Sequence, residues 1–392
     1  MKNSGKFLAV IFTTMLAFLF SCETNSPINP SLSAVNSTQD YIVTICPATN
    51  TIQSSNVETD IKELLSKYNI SQSSILATYS YVMTGFAASL TEDQVKALQT
   101  DKRVIRIEKD KEYSIFDKVE SVEDSKGNKL QGQTIPWGLT YIGGFTEATT
   151  TTGVAWIVDT GIDLDHPDLN VDLNLSKTMF TSGTDAASAD DLNGHGSHVA
   201  GIIAAKNNSY GSVGVCAGAK VVAVKVLSYR GSGSISIIIS GLDYVASHMV
   251  QGKINVVNLS LGGSVSTSLD NAVVNLANKG AYVVLAACNY AANVSNYSPA
   301  RVEAQRVYTI SSHTSQGVLS SFSNYGNPSI DFAAPGDNIY STYKNGGYAT
   351  MSGTSMSTPY VSGILLANNG VVNWSGYING DKDLIPDKKA HR

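Results

Sequence analysis

Charge is scarce in this chain: Asp, Glu, Lys and Arg make up 15% of its 392 residues, and the formal net charge is −5 with a pI near 5.7. No long basic run or clustered basic helix appears, which excludes the electrostatic footprint of a nucleic-acid binder. Cysteine is rare and scattered, at Cys22, Cys46, Cys216 and Cys288. With Cys22 set aside the count is odd and each thiol stands in a separate segment, so no disulfide framework is expected and the three are read as buried free thiols packing like small hydrophobes. Long apolar runs are also lacking. The stretch Phe7 to Phe20 is too short to span a bilayer comfortably, and with Lys2 and Lys6 before it residues 1–21 read as a signal peptide of an exported bacterial protein.

The leader ends in Leu19-Phe20-Ser21-Cys22, which resembles a lipobox whose Cys22 becomes the lipidated N-terminus. Two destinations follow: a membrane-anchored lipoprotein, or plain secretion after cleavage near Ser21. Residues 22–40 carry Pro27, Pro30 and many Ser and Asn, the composition of a flexible tether.

Residues 41–116 have the rhythm of a small β-α-β-β-α-β unit. Tyr41 to Ile45 reads as a strand, and Val57, Ile61, Leu64, Leu65 and Tyr68 recur at helical spacing. Thr91 with Gln94 forms a capping box for a second helix, and Val104 to Glu108 is the last strand. Residues 117–133 are polar and charged, a natural linker. From 134 to 392 buried-strand runs alternate with helical segments: Val154 to Val158, Val221 to Leu227, Ile254 to Leu259 and Ala281 to Ala286. That alternation predicts an α/β fold with a doubly wound, mainly parallel sheet, whose sites gather where the strands end.

Three segments carry chemistry: Val158-Asp159-Thr160-Gly161, Asn193-Gly194-His195-Gly196-Ser197-His198, and Gly353-Thr354-Ser355-Met356-Ser357-Thr358-Pro359. Each alone has a plainer reading. Asp159 suits a strand-to-loop turn, Ser355 a helix N-cap. His195 and His198 at i, i+3 suggest a metal, but a zinc site needs three or four protein ligands and no third one of matching type lies nearby. Together they supply a carboxylate, a base and a nucleophile. A serine hydroxyl attacks well only when an imidazole takes its proton, and the imidazole needs a carboxylate to fix its tautomer.

These motifs, in this order, resemble the subtilisin-like serine peptidases (subtilases), proteinase K branch, over roughly Tyr41 to Gly363. The Gly85-Phe86-Ala87-Ala88 segment makes the 41–116 unit resemble the inhibitor-type propeptide of that family, which acts as an intramolecular chaperone and inhibitor. The resemblance implies an acyl-enzyme endopeptidase matured by autocleavage somewhere in 117–133. It implies protein or peptide substrates and no cofactor for the chemistry; structural calcium occurs in the family, but no residue here is assigned to it. Asn289 falls at the family's oxyanion-hole amide, though a turn after a strand is its plainer role. Ser260, Leu261, Gly262 and Gly263 on one side, and Gly231, Ser232 and Gly233 on the other, fall where the family receives substrate as an added strand. Cys288 replaces a family glycine at the first specificity pocket. Two placements are open for it: its side chain narrows the pocket, or a positive φ strains the backbone beside Asn289.

The helix after Ser355 is expected to stop at Asn368-Asn369-Gly370. The tail from Asn379 to Arg392 carries Asp381, Asp383 and Asp387 without EF-hand spacing and reads as a solvated surface segment. A monomer is expected. Two rivals remain: a catalytically silent lipoprotein using the same cleft to bind peptides, and an esterase or transferase using the same three residues.

Overall fold

The computed structural model describes residues 37–46, 54–115, 117–123, 132–150 and 152–392. The leader, Cys22, most of the tether, Phe116 and residues 124–131 of the linker lie outside them. Among the described residues no helix is long and apolar enough to cross a membrane.

The first unit runs β1 (Gln39–Ile45), α1 (Ser54–Lys67), β2 (Ile75–Tyr79), β3 (Gly85–Leu90), α2 (Glu92–Leu98) and β4 (Val104–Lys109). Its antiparallel sheet has the order β2-β3-β1-β4. Strand alternation divides the sheet between two cores. Val43, Ile45, Phe86, Ala88 and Leu90 meet Val57, Ile61, Leu64 and Leu65 of α1, whereas Ile42, Tyr79 and Ala87 face the larger part of the chain. The capping box forms as expected: Gln94 N–H donates to Thr91 Oγ1 at 3.2 Å, and Thr91 N–H to Gln94 Oε1 at 3.0 Å.

Two strands follow, β5 (Glu112–Ser114) and β6 (Lys118–Glu123). The second of them forms inside the segment read as a linker.

The remainder is an α/β sandwich. Its central strands are β7 (Val154–Asp159), β8 (Lys220–Lys225), β10 (Asn255–Leu259), β11 (Tyr282–Ala286), β12 (Val307–His313) and β13 (Phe332–Pro335), with β9 (Ser232–Ser234) outside the sheet. The order is β8-β7-β10-β11-β12-β13, all parallel. Strand runs of Val, Ile and Ala arise because both faces are covered. On β7, Ala155 and Ile157 join one core with α3 (His195–Ala204) and the helix at Thr354–Ala367. Trp156 and Val158 join the other, with α4 (Ile235–His248) and α5 (Thr267–Asn278). Trp156 is fully buried, and its indole N–H donates to Asn255 Oδ1 at 3.1 Å. Parallel alignment places Lys225 beside Asp159 at the same end of the sheet.

The chain closes with the hairpin β14 (Ile339–Tyr343) and β15 (Gly347–Ser352), then α6 (Thr354–Ala367), β16 (Asn373–Tyr377) and β17 (Lys388–His391). Helix α6 stops at Ala367, with Asn369 and Gly370 at positive φ. The tail departs from the expected solvated segment. Strand β17 pairs with β13 at the sheet edge and β16 adds antiparallel to it, and Asp387 is 2% exposed. Its polar sequence hid this because an edge strand needs only a few inward residues, here Ala390 of β17, with Ile378 buried just after β16. Cys216 and Cys288 are buried free thiols, but Cys46 is exposed.

Candidate active site

Asp159 ends β7, fully buried, with Val226 N–H and Leu227 N–H on its backbone carbonyl at 2.9 and 3.0 Å. Its Oδ1 accepts from His195 Nδ1 at 2.7 Å and Thr160 N–H at 2.6 Å. His195 opens α3 after Gly194, whose φ of 113° suits glycine. Asp191, 3% exposed, fixes this corner. Its Oδ1 accepts from Thr160 Oγ1, Asn193 N–H and Gly194 N–H at 2.9, 2.9 and 2.8 Å, and its Oδ2 from Ser197 N–H and Oγ at 2.9 and 2.7 Å. Nothing in the sequence distinguished Asp191 from neighbouring loop carboxylates.

Ser355 lies in the first turn of α6, 4% exposed, with its Oγ 3.2 Å from the Ser260 carbonyl oxygen. Ser260 Oγ in turn donates to the Ser355 carbonyl at 2.8 Å. Asn289 follows β11, and its Oδ1 accepts from Thr354 N–H and Oγ1 at 2.8 and 2.9 Å, which aims Nδ2 into the cleft beside Ser355. His198 has a different place from His195: its Nε2 donates toward the carbonyls of Ile339 and Ala349 at 3.1 and 3.0 Å, and burial pulls its pKa down to about 3. Among the described residues no three His, Cys, Asp or Glu side chains converge as metal ligands.

The segment after the first unit runs into this cleft. Strand β5 pairs antiparallel with β9, Tyr113 opposite Gly233 and Ser114 opposite Ser232, and Ile115 N–H donates to the Gly231 carbonyl at 3.0 Å. On the other side the Tyr113 hydroxyl donates to the Ser264 carbonyl, and its ring lies where a Cβ on Gly263 would stand 2.5 Å away. Leu261 is buried beneath. The two expected edges thus flank one bound strand.

Asp117 then enters the cluster formed by His195, Ser355 and Asn289, which the sequence reading missed because it stands first in a polar stretch. Its Oδ2 accepts from Ser355 Oγ at 2.7 Å and His195 Nε2 at 2.9 Å, and its Oδ1 from Asn289 Nδ2 at 2.9 Å. Burial pulls the His195 imidazole down, but the Asp159 charge, the hydrogen bonds that its ring donates to Asp117 and Asp159, and the Asp117 charge outweigh it and hold its pKa at about 10.

Cys288 combines both placements left open by the sequence. Its φ is 77°, and its side chain, 8% exposed, packs against Gly262 in the pocket wall beside Asn289. Burial, with the Asp117 charge adding, pushes its thiol up to about 12, so it stays protonated.

The first unit also caps both helices behind the cleft. Ser236 N–H at the start of α4 donates to Asp110 at 3.0 Å, and Ser268 N–H and Oγ at the start of α5 donate to Glu108 at 3.0 and 2.9 Å.

Residues 153–374 match the model of the subtilase family, and residues 40–116 match that of peptidase inhibitor I9. An alkaline serine exoprotease A of Vibrio alginolyticus is 38% identical over 74% of this chain and 52% of its own length. An extracellular serine proteinase of a Thermus species is 40% identical over 73% of this chain and 66% of its own length. The chain therefore spans about half to two thirds of these relatives. The crystal structure of a cold adapted subtilisin-like serine proteinase superposes with a TM-score of 0.55 at 35% identity, covering 65% of this chain and 97% of that one. With the sheet order, the grouping of Asp159, His195 and Ser355, and both matches in agreement, this chain belongs to the subtilase family, with an N-terminal inhibitor I9 domain.

Proposed function

We propose that the chain is an exported serine endopeptidase that cuts itself between Phe116 and Asp117. One observation carries the cleavage site: β5 lies as an added strand along β9 and delivers Asp117 to Ser355, so the bond before Asp117 is the one presented. The inhibitor match ending at 116 supports the same boundary.

In this reading the Asp117 side chain first swings off Ser355, His195 and Asn289; Ser355 Oγ then attacks the Phe116 carbonyl carbon while neutral His195 takes its proton, and Asp159 holds the imidazolium that results. The oxyanion is received by Asn289 Nδ2 and the Ser355 backbone N–H. Collapse breaks the C–N bond; His195 gives its proton to the Asp117 nitrogen, and the acyl group stays on Ser355. Water, deprotonated by His195, then releases Phe116 as a carboxylate. Other peptide substrates follow the same path between Ser260–Gly263 and Gly231–Gly233, held by backbone contacts that do not read side-chain identity. Nothing favours a silent peptide binder or an esterase. The leader supports export, and Leu19–Cys22 supports a lipid-anchored form. The test is Ser355→Ala in the full chain, which should accumulate uncut, while wild type yields a new terminus at Asp117. Normal processing of the variant expressed alone would rule out self-cleavage.

A further inference from the structure

Asp117 makes contacts that presenting a bond for cleavage does not require. Its side chain is 1% exposed and meets the nucleophile, the base and the oxyanion donor at once. Behind it β6 pairs antiparallel with β15, from Lys118 opposite Ser352 to Glu123 opposite Tyr348. Ser352 Oγ donates to Glu120 at 3.1 Å and Tyr340 OH to Glu123 at 3.1 Å. All these residues follow the Phe116–Asp117 bond. When that bond is cut the first unit becomes a separate chain and can leave, but β6 remains covalently part of the peptidase.

We propose that Asp117–Glu123 is a second inhibitory element acting in cis: after the first cut, β6 keeps the Asp117 carboxylate on Ser355, His195 and Asn289, and full activity appears only when this strand undocks. The proposal rests on the reading of the chain as a self-cutting peptidase. A single carboxylate here blocks each function the chemistry needs. It holds the Ser355 proton away from His195, stabilises an imidazolium that cannot accept a proton, and occupies the donor meant for the oxyanion. Unlike the first unit, a tethered strand is not diluted away, because its effective concentration is set by its own chain.

The experiment uses the full chain as wild type, Asp117→Ala and Ser121→Pro, following the new terminus by intact mass and Ser355 labelling by a fluorophosphonate. Ser121→Pro places a ring without an N–H in the middle of β6 and leaves the catalytic centre untouched. In wild type, a species beginning at Asp117 should accumulate and label about 10–100-fold more slowly than the corresponding species of either variant, the scale of a lost charge-assisted contact. Equal labelling rates in the three cut species would overturn the inhibitory strand alone. Absence of both cutting and labelling in all three would overturn the peptidase reading, and the strand with it.

Discussion

Cys288→Gly tests how far one side chain shapes both the backbone and the specificity of this site. A non-glycine residue at a φ of 77° carries a steric cost of roughly 1–2 kcal/mol, which glycine relieves. Against this, the Cys288 side chain is 8% exposed and packs with Ala287, Val294, Ala300 and Ile330, and deleting it loses about 1–2 kcal/mol of burial. The two nearly cancel, so the melting temperature should move little. Activity should not stay constant. The thiol sits in the pocket wall against Gly262, and its removal opens room of about one side-chain increment, worth about 1–3 kcal/mol of discrimination. On peptides cut after Ala, Leu and Phe, kcat/KM for Phe should rise relative to Ala by about tenfold or more. A rise in kcat on every peptide alike would instead show that strain at Cys288 tilts Asn289. An unchanged ranking and unchanged kcat, with a clear drop in melting temperature, would refute the reasoning and leave Cys288 as packing alone.

Asn289→Leu removes the Nδ2 donor held by Thr354, and kcat should fall about 10²–10³-fold with little change in KM; near-normal turnover would leave Asn289 as a turn residue. Cys22→Ser should shift the protein from the detergent to the aqueous phase and abolish fatty-acid incorporation, and equal partitioning of both forms would end the lipid-anchored reading. Burial pushes the Asp387 carboxyl up to about 7 against the Ser311 hydrogen bond, with Asp381 and Asp383 adding. A raised pKa favours the protonated fold, so stability is lost as pH rises through about 7 and ionisation costs about 2–4 kcal/mol. Asp387→Asn should therefore raise the melting temperature at pH 8 but not at pH 4, and a parallel fall of both proteins between these pH values would contradict this.

The sequence by itself determined the core strands, because runs such as Val154 to Val158 and Val221 to Leu227 have no stable place except between two covered faces. It also located the capping box at Thr91, a local feature whose partners stand three residues apart. Asp159, His195 and Ser355 were legible as chemistry because each stands in a distinctive short motif. The tertiary structure decided whatever depends on distant partners. Asp191 and Asp117 are ordinary carboxylates in polar stretches until folding brings donors to them from other segments. Strand β6 has little apolar content of its own and exists because β15 offers an unpaired edge. Asp387 looked solvated because its burial comes from β12 and β13, far away in the chain. Local pattern encodes what a segment can become; long-range pairing of backbone edges and buried charges selects which surface it meets, and no window along the chain contains both partners.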